Sequence, residues 1–284
     1  MTQANKTKRP TVKQIEDLLF DEIRVLDKGF LRVVDYMGDD AAIVQSARVS
    51  YGKGTKTVSQ DSALISYLIR HRHTTPFEMC EIKFHVKLPM FVARQWIRHR
   101  TANVNEYSAR YSVLEDEFYF PDKCDIGYQS KHNAQGTHGA VEDEVSQKFA
   151  LDLKKNTQFC YDAYKSSLDA GISRETSRIT IPLNCYTQWY WKIDLHNLLH
   201  FVKLRSDHHA QYEIREYAKA MEDIIKAWVP LTYKAFKEHV KNSVTFSESG
   251  MKFLRSKING DKKTPEEFGI GKRESKEIIT ALED

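Results

Sequence analysis

The chain has 284 residues, 41% of them hydrophobic and 29% charged, and this composition is ordinary for a folded, water-soluble protein. Its 43 basic and 39 acidic side chains leave a net charge of +4, so the overall charge demands no polyanionic partner. Nucleic acid is therefore not expected as a partner, and any anion site has to be local.

Cysteine usage and hydropathy restrict the compartment. The four cysteines include no C-x-x-C pair and are too sparse for a disulfide scaffold, which favours a reducing, cytoplasmic environment. The N-terminus has no apolar stretch resembling a signal peptide, and no segment is long and apolar enough to span a bilayer. We expect no membrane partner.

The N-terminal part predicts an arm, a strand pair and two helices. Residues 1–14 are polar and basic, which predicts a disordered N-terminal arm. Residues 23–38 mix β-branched and apolar side chains around a glycine and predict strand pairing. Segments 39–50 and 59–73 begin with capping residues and predict helices.

The clearest local pattern is "EIKFHVKL", residues 81–88, in which apolar residues alternate with charged or polar ones. Alternation with a period of two predicts a strand with one buried face and one solvated face, as antiparallel sheets allow. Pro89 suits the first turn of a following helix. That helix leads into a strongly polar stretch, "RHRTANVNEYSARY", residues 98–111.

The C-terminal half predicts a mixture of helices with one more strand. Residues 121–147 are typical of an irregular insertion, and a helix is expected over about 141–169. "YTQWYWKI", residues 186–193, alternates like a strand, and residues 208–228 carry the apolar stripe of a long amphipathic helix. Residues 238–284 read as a charged C-terminal extension with one short helix. Strands and helices do not alternate regularly, so we predict an α+β fold with an antiparallel sheet packed with helices.

Spacing within the polar stretch suggests a ligand. In an extended chain, Arg98 and Arg100 share one side, and Glu106, Ser108 and Arg110 also share a side. Two guanidinium groups suit a phosphate, a carbonyl or an electron-rich ring, and the glutamate, hydroxyl and cation together suit a nucleotide. The alternative is a solvated surface loop with internal salt bridges.

Several blocks of the sequence resemble one family. "RHR", seven residues and then Ser108 match the R-H-R-x7-S signature of the flavin-dependent thymidylate synthases. The flanking "FVARQW" and "SARYS" agree with that family, and three further blocks occur in the family's order: "HRHTTPFE" (71–78), "RITIPLN" (178–184) and "WKIDLHNLLHFVKLRSDHHAQYEIREYA" (191–218). The resemblance covers about residues 23–236 and predicts a single catalytic domain over residues 15–237.

The resemblance implies a specific reaction. A member of this family converts dUMP to dTMP, taking a methylene carbon from methylenetetrahydrofolate and reducing equivalents from NADPH through bound FAD. It is also expected to form a homotetramer with its active sites at subunit interfaces. No G-x-G-x-x-G motif follows a predicted strand, and this family binds FAD without one.

The resemblance also implies residue roles. Arg110 and Arg178 would clamp the phosphate, because bidentate guanidinium groups suit a phosphoryl group. Arg205, the expected catalytic residue, would lie against the uracil and make its C5 nucleophilic without a covalent enzyme adduct. The dUMP site is expected to comprise Gln95, Arg98, Glu106, Ser108, Arg110, Arg178 and Arg205. The FAD site is expected to comprise Ser50, His73, Thr75, Arg98, His99, Arg100, Glu106, Asp194, His196 and His200.

Other readings of the same residues remain open. His196 and His200 could face one side of a helix as zinc ligands, although the glutamate of H-E-x-x-H is missing, so no metal is expected. His208 and His209 are adjacent and should point apart on a helix. Cys185 is the residue that a cysteine-dependent thymidylate synthase mechanism would use, but a buried structural thiol is expected.

Two other function classes compete with this assignment. One is a nucleic-acid-binding module that uses "RQWIRHRTAN" as a basic helix end, which would bind less tightly as the salt concentration rises. The other is a zinc-dependent hydrolase built on the histidine pair. Ser108 could also be proposed as a nucleophile, but no paired base is evident to activate it.

Overall fold

The computed structural model describes residues 9–49, 58–131 and 136–283. The chain divides into two compact units, Met1–Phe236 and Lys237–Asp284. Within the described residues, no helix is both long and apolar enough to cross a membrane.

A five-stranded antiparallel sheet forms the centre of the first unit, with the strand order β1-β2-β3-β7-β4. A separate two-stranded sheet pairs β5 with β6. The strands are β1 (Ile23–Val25), β2 (Gly29–Met37), β3 (Glu81–Pro89), β4 (Asn103–Glu106), β5 (Tyr128–Gln129), β6 (Thr137–His138) and β7 (Tyr186–Asp194). The predicted antiparallel sheet packed with helices is confirmed.

The helices lie around this sheet and in the second unit. In the first unit they are α1 (Lys13–Glu16), α2 (Asp40–Arg48), α3 (Val58–Arg70), α4 (Thr75–Glu78), α5 (Met90–Trp96), α6 (Asp143–Asp169), α7 (Arg174–Ser177), α8 (Leu195–Arg205), α9 (Tyr212–Trp228) and α10 (Pro230–Phe236). In the second unit they are α11 (Glu248–Ile258) and α12 (Lys272–Glu283). Short 3-10 turns occupy Lys123–Asp125, Arg178–Thr180 and Pro265–Phe268.

One face of the sheet is buried, as the alternation in β3 and β7 predicts. Phe84 pairs with Trp191 and Val86 with Trp189 across these two strands, and all four side chains are buried. Helices α5, α8 and α9 supply the other side of the core. Trp96 of α5 packs against the rings of β7 and of both other helices. The core therefore fixes the end of α5 relative to α8, and this determines where the polar stretch begins.

Side-chain caps join distant parts of the first unit. Asp39 accepts a hydrogen bond from the backbone amide of Ala42 at 2.8 Å and caps α2. The neighbouring Asp40 accepts from the backbone amides of Leu231 and Thr232 at 2.8 and 3.0 Å, at the start of α10. Burial raises the pKa of the Asp40 carboxyl group. These bonds satisfy amides that a helix start leaves without partners.

Residues 9–14 are ordered, although the sequence predicted them to be part of a disordered N-terminal arm. Arg9 forms an ion pair with Asp35 at 3.2 Å and donates to the carbonyl oxygen of Tyr36 at 2.9 Å. The backbone amide of Val12 donates to the Tyr36 hydroxyl at 2.7 Å, and α1 follows. These contacts order residues 9–14 along β2, which a local reading of polar composition could not anticipate.

Two other segments have more regular structure than predicted. The insertion at 121–147 contains a 3-10 turn and the paired strands β5 and β6, and α6 begins within the helix predicted over about 141–169. The C-terminal extension has two helices instead of one, and Phe253, Ile270 and Ile278 form its buried core. In the C-terminal extension, a few buried apolar side chains organise a sequence dominated by polar residues.

Candidate functional site

A group of cationic side chains begins where α5 ends. The backbone amide of His99 donates to the carbonyl oxygen of Trp96 at 2.9 Å, which turns the chain directly after the helix. Trp96 is fully buried, so this turn is anchored in the core. Arg98 and Arg100 are exposed on either side of the half-buried His99.

A cavity of about 360 Å³ lies between this turn and α8, and we call it the arginine cavity. It brings together predicted site residues that are far apart in the sequence. These are Arg98, His99, Arg100, His200 and Arg205. The remaining lining residues are Thr101, Ile193, Asn197 and Leu204. The turn and the helix therefore form one concave, cationic surface.

Arg205 is held at two points in this cavity. Its Nε donates to Nε2 of His99 at 3.0 Å, and its Nη2 donates to the backbone carbonyl oxygen of Gln95 at 3.3 Å. Burial and the nearby Arg98 lower the pKa of the Arg205 guanidinium group. An arginine remains charged at neutral pH in spite of such a shift. The cavity therefore contains a fixed, partly desolvated positive charge.

The histidines beside Arg205 are neutral at physiological pH. Burial, Arg205 and His200 together lower the pKa of His99 to about 4. Burial, His196 and Arg205 also lower the pKa of His200. Neutral imidazoles can accept hydrogen bonds as well as donate them, so the surface offers both kinds of group to a ligand.

Gln211 contacts a predicted site residue, and the sequence did not single it out. Its side-chain oxygen accepts a hydrogen bond from the side-chain amide of Gln95, which is on α5. Gln211 directly precedes α9, and it lies within the block that carries the family resemblance. The only sequence signal was its membership of that block, because a lone glutamine has no distinctive spacing.

Arg110 and Arg178 lie in a second group, which we call the α7 cluster. Arg110 Nε forms an ion pair with Glu175 of α7 at 2.9 Å. Arg178 directly follows α7 and is exposed. Within the described ranges, no hydrogen bond or ion pair connects either arginine with a residue of the arginine cavity. Neither arginine lines the arginine cavity, so one chain holds its predicted cations in two groups.

The extended chain considered for residues 98–110 is present only in β4, Asn103–Glu106, because the chain turns after α5 and again after Glu106. Strand β4 ends at Glu106, whose Oε1 accepts a hydrogen bond from the Thr187 hydroxyl at 2.8 Å. A turn follows, in which the backbone amides of Tyr111 and Ser112 donate to the carbonyl oxygen of Ser108 at 3.0 and 3.3 Å. Glu106, Ser108 and Arg110 therefore do not share one side of a strand.

The other predicted flavin contacts lie near the start of α8. Asp194 caps this helix, and its two carboxylate oxygens accept from the backbone and side-chain amides of Asn197 at 2.9 and 2.7 Å. His196 precedes His200 by one helical turn. Thr75 begins α4, which packs against α8, and His73 directly precedes it. Ser50 lies outside the described residues.

The prediction that His208 and His209 point apart was wrong. They lie in the turn between α8 and α9, where their ring centroids are 3.7 Å apart. Asp207 Oδ1 is 2.9 Å from His209 Nδ1. In the described part of the chain, three potential metal-ligand atoms approach one another here, all within 4.8 Å and all on exposed side chains. A turn brings neighbouring side chains together in a way that helical geometry does not.

Comparison with known proteins identifies the family. Residues 32–231 match the family model described as "Thymidylate synthase complementing protein". The flavin-dependent thymidylate synthase of Ehrlichia ruminantium (strain Gardel) is 59% identical over 278 residues, covering 98% of this chain and 94% of the relative. The chain belongs to the flavin-dependent thymidylate synthase family.

Other relatives and a solved structure agree with this assignment. The flavin-dependent thymidylate synthase of Wolbachia pipientis wMel is 58% identical over 277 residues, covering 98% of each chain. The crystal structure of the UMP/dUMP methylase PolB from Streptomyces cacaoi bound with 5-Br dUMP superposes with a TM-score of 0.70 at 29% identity. The superposition covers 77% of this chain and 99% of the methylase chain.

Cys185 is the residue that a covalent mechanism would use as its nucleophile, and in this member of the flavin-dependent thymidylate synthase family it is buried. Its side chain is 1% exposed and lies in an apolar cluster with Leu114, Phe118, Tyr161 and Tyr164. Burial, reinforced by nearby acidic residues, raises the pKa of the Cys185 thiol to about 12. A thiol with that pKa is almost entirely protonated at neutral pH, so it is a poor nucleophile.

Alkylation should distinguish the cysteines. Burial also raises the pKa of the Cys80 thiol to about 12, whereas Cys124 is exposed. We expect iodoacetamide at pH 8 to modify Cys124 in the folded protein and to leave Cys80 and Cys185 unmodified, as measured by peptide mass spectrometry. Unfolding in guanidinium chloride should make all three reactive. Rapid modification of Cys185 in the folded protein would contradict the assignment of a structural thiol.

Proposed function

We propose that this protein methylates dUMP to dTMP, with methylenetetrahydrofolate as the carbon donor and NADPH as the reductant, acting through bound FAD. The observation that carries the proposal is the fixed charge of Arg205 in the arginine cavity, beside the R-H-R turn. The likeness to a dUMP-binding methylase supports the nucleotide substrate. The burial of Cys185 supports a reaction without a covalent cysteine adduct.

The arginine cavity is proposed to hold the flavin ring and the uracil ring. At about 360 Å³ it lies near the lower end of ligand-pocket volumes, about 300–1,000 Å³, so it suits part of a dinucleotide. Arg98 and Arg100 present guanidinium groups that favour an anionic ring. Bound FAD would carry two reducing equivalents from NADPH. The chain's proposed contacts with FAD are Ser50, His73, Thr75, Arg98, His99, Arg100, Glu106, Asp194, His196 and His200.

The dUMP site is proposed to combine both cationic surfaces. Arg205 would stabilise negative charge on the uracil carbonyl groups, which increases the electron density at C5. Arg110 and Arg178 would bind the phosphate, with Ser108 as an additional hydrogen-bond donor. Gln95, Arg98 and Glu106 complete the proposed set. Arg110 would then exchange its exposed ion pair with Glu175 for the phosphate, at little cost, because exposed ion pairs contribute about 0–1 kcal/mol.

Assembly from several copies is proposed because one chain separates these two surfaces. The arginine cavity takes one end of a nucleotide, and the α7 cluster presents arginines suited to the other end. A second copy could place its α7 cluster beside the first copy's arginine cavity, and closed symmetry would repeat the site. We propose that the chain forms a homotetramer with its active sites at the subunit interfaces. The four free thiols are compatible with a cytoplasmic location.

Product analysis tests the proposed reaction. A methylene carbon becomes a methyl group only by gaining two electrons, and NADPH supplies them here, so the folate should leave as tetrahydrofolate. We expect purified protein with bound FAD to form dTMP and to oxidise NADPH in equal amounts, measured by chromatography and by absorbance. The Cys185→Ala variant should retain this activity. Formation of dihydrofolate without NADPH oxidation, or complete loss of activity in a folded Cys185→Ala variant, would contradict the proposal.

A further inference from the structure

The position of the Arg205 guanidinium group depends on few contacts. Arginine has a long side chain with many rotamers, and ordering it costs conformational entropy. Arg205 lies at the end of α8, and its contacts there are one bond to His99 and one bond to a backbone carbonyl oxygen. Its Nη1 makes no hydrogen bond within the described residues and remains available to a ligand.

His99 is well placed to be a fixed acceptor. Its backbone amide is bonded to the carbonyl oxygen of Trp96, and its ring packs edge-on against Phe201 with centroids 4.8 Å apart. The ring of His200 lies 6.0 Å away on the same helix as Phe201. Because both neighbours come from α8, the helix that carries Arg205 also orients the ring that receives its Nε hydrogen bond.

The protonation state of His99 matches this geometry. Nε2 can accept a hydrogen bond only when it carries no proton, and a protonated ring would repel the guanidinium group. The pKa of His99 is lowered to about 4 by burial and by Arg205 itself, so the ring accepts this bond throughout the neutral pH range. The remaining ring proton is then on Nδ1.

We propose that His99 is a positioning residue that holds the guanidinium group of Arg205 in its working orientation through Nε2. This inference rests on the proposed function, since it assumes that Arg205 acts on the uracil. It is distinct from the flavin contact that the family resemblance implies for His99, because the group served is a side chain of the protein.

Three substitutions of His99 separate positioning from packing. In His99→Gln the amide oxygen can occupy the place of Nε2, whereas in His99→Asn the same group is one methylene too short. His99→Leu keeps an apolar body against Phe201 but has no acceptor. We expect His99→Leu and His99→Asn to lower kcat about 10- to 100-fold, which corresponds to the loss of one charge-assisted hydrogen bond. The kcat of His99→Gln should be at least tenfold higher than that of His99→Leu or His99→Asn.

A double-mutant cycle gives a second readout that does not require turnover. Affinity for dUMP is measured from the change in the flavin absorption spectrum during titration, with and without Arg205→Ala. We expect His99→Leu to weaken dUMP binding when Arg205 is present and to have little further effect when it is absent. The Gln and Asn variants provide the same comparison if the Leu variant does not fold.

The outcomes distinguish the two levels of the proposal. A wild-type protein that binds dUMP and forms dTMP, together with equal impairment of the Gln and Asn variants, would overturn the role of His99 alone. Equal weakening of dUMP binding by His99→Leu in both Arg205 backgrounds would overturn it as well. A wild-type protein that neither binds dUMP nor forms dTMP would instead overturn the proposed function.

Discussion

Replacement of Arg205 with alanine is expected to abolish dTMP formation while FAD remains bound. In the arginine cavity this guanidinium group is partly desolvated and held by His99 and Gln95, so its charge would be screened less than that of a fully exposed arginine. Removal of one preorganised group that stabilises developing charge costs about 10²–10³ in kcat, and loss of a full positive charge should cost at least that. The measurement is dTMP formation at saturating dUMP, with flavin content determined from the visible spectrum.

Two matched variants make the Arg205 result specific. Arg24 is an exposed arginine of β1 that lies outside the proposed site, and Arg24→Ala should keep full activity. Arg205→Lys keeps the charge but loses the Nε donor and the planar fork, and it should recover only part of the activity. Normal turnover by a correctly folded Arg205→Ala variant would remove this residue from the mechanism.

Replacement of Trp96 with alanine should cause the largest loss of stability. Trp96 is fully buried, and the rings of Trp191, Phe201 and Tyr217 lie 5.2, 4.8 and 5.7 Å from it between centroids. Deletion of a buried tryptophan side chain costs about 3–5 kcal/mol, because apolar contacts are lost and a cavity remains. Because α5 carries the R-H-R turn, FAD binding should weaken in the same variant.

Chemical denaturation at fixed protein concentration measures this effect, since assembly makes apparent stability depend on concentration. Ile258→Ala provides the control, because the Ile258 side chain is 83% exposed and its truncation should change stability by less than about 0.5 kcal/mol. The two variants should therefore differ by several kcal/mol. A Trp96→Ala protein with wild-type stability and flavin content would show that α5 does not depend on this core contact.

The sheet was predictable because its two long central strands show their burial pattern locally. Burial alternates from Glu81 to Leu88 in β3 and from Thr187 to Asp194 in β7, and both strands bury the apolar face that the sequence indicated. The turn after Glu106 was not predictable in this way, since it depends on backbone hydrogen bonds to Ser108 and not on composition. The same reason explains His208 and His209, where helical geometry was assumed across a turn.

The sequence predicted which residues belong to the candidate site, but it did not predict how the fold places them relative to one another. The resemblance named Arg98, Arg110, Arg178 and Arg205 together, whereas the fold places two of them in the arginine cavity and two in the α7 cluster. The spacing of residues along the chain does not indicate which of these arginines share a surface of the folded chain. Gln211 was not singled out because its contact with Gln95 appears only in the folded chain.

Mixing two variants that each lack one proposed dUMP-site arginine, and that we expect to be inactive alone, tests most directly whether the two cationic surfaces meet across subunits. Arg178→Ala and Arg205→Ala chains are co-expressed with different affinity tags, and assemblies carrying both tags are purified and assayed for dTMP formation. If each site takes one arginine from each of two copies, about a quarter of the sites in a random mixture contain both wild-type residues and should be active. Activity in mixed assemblies that is no higher than in either variant alone would contradict a site shared between subunits.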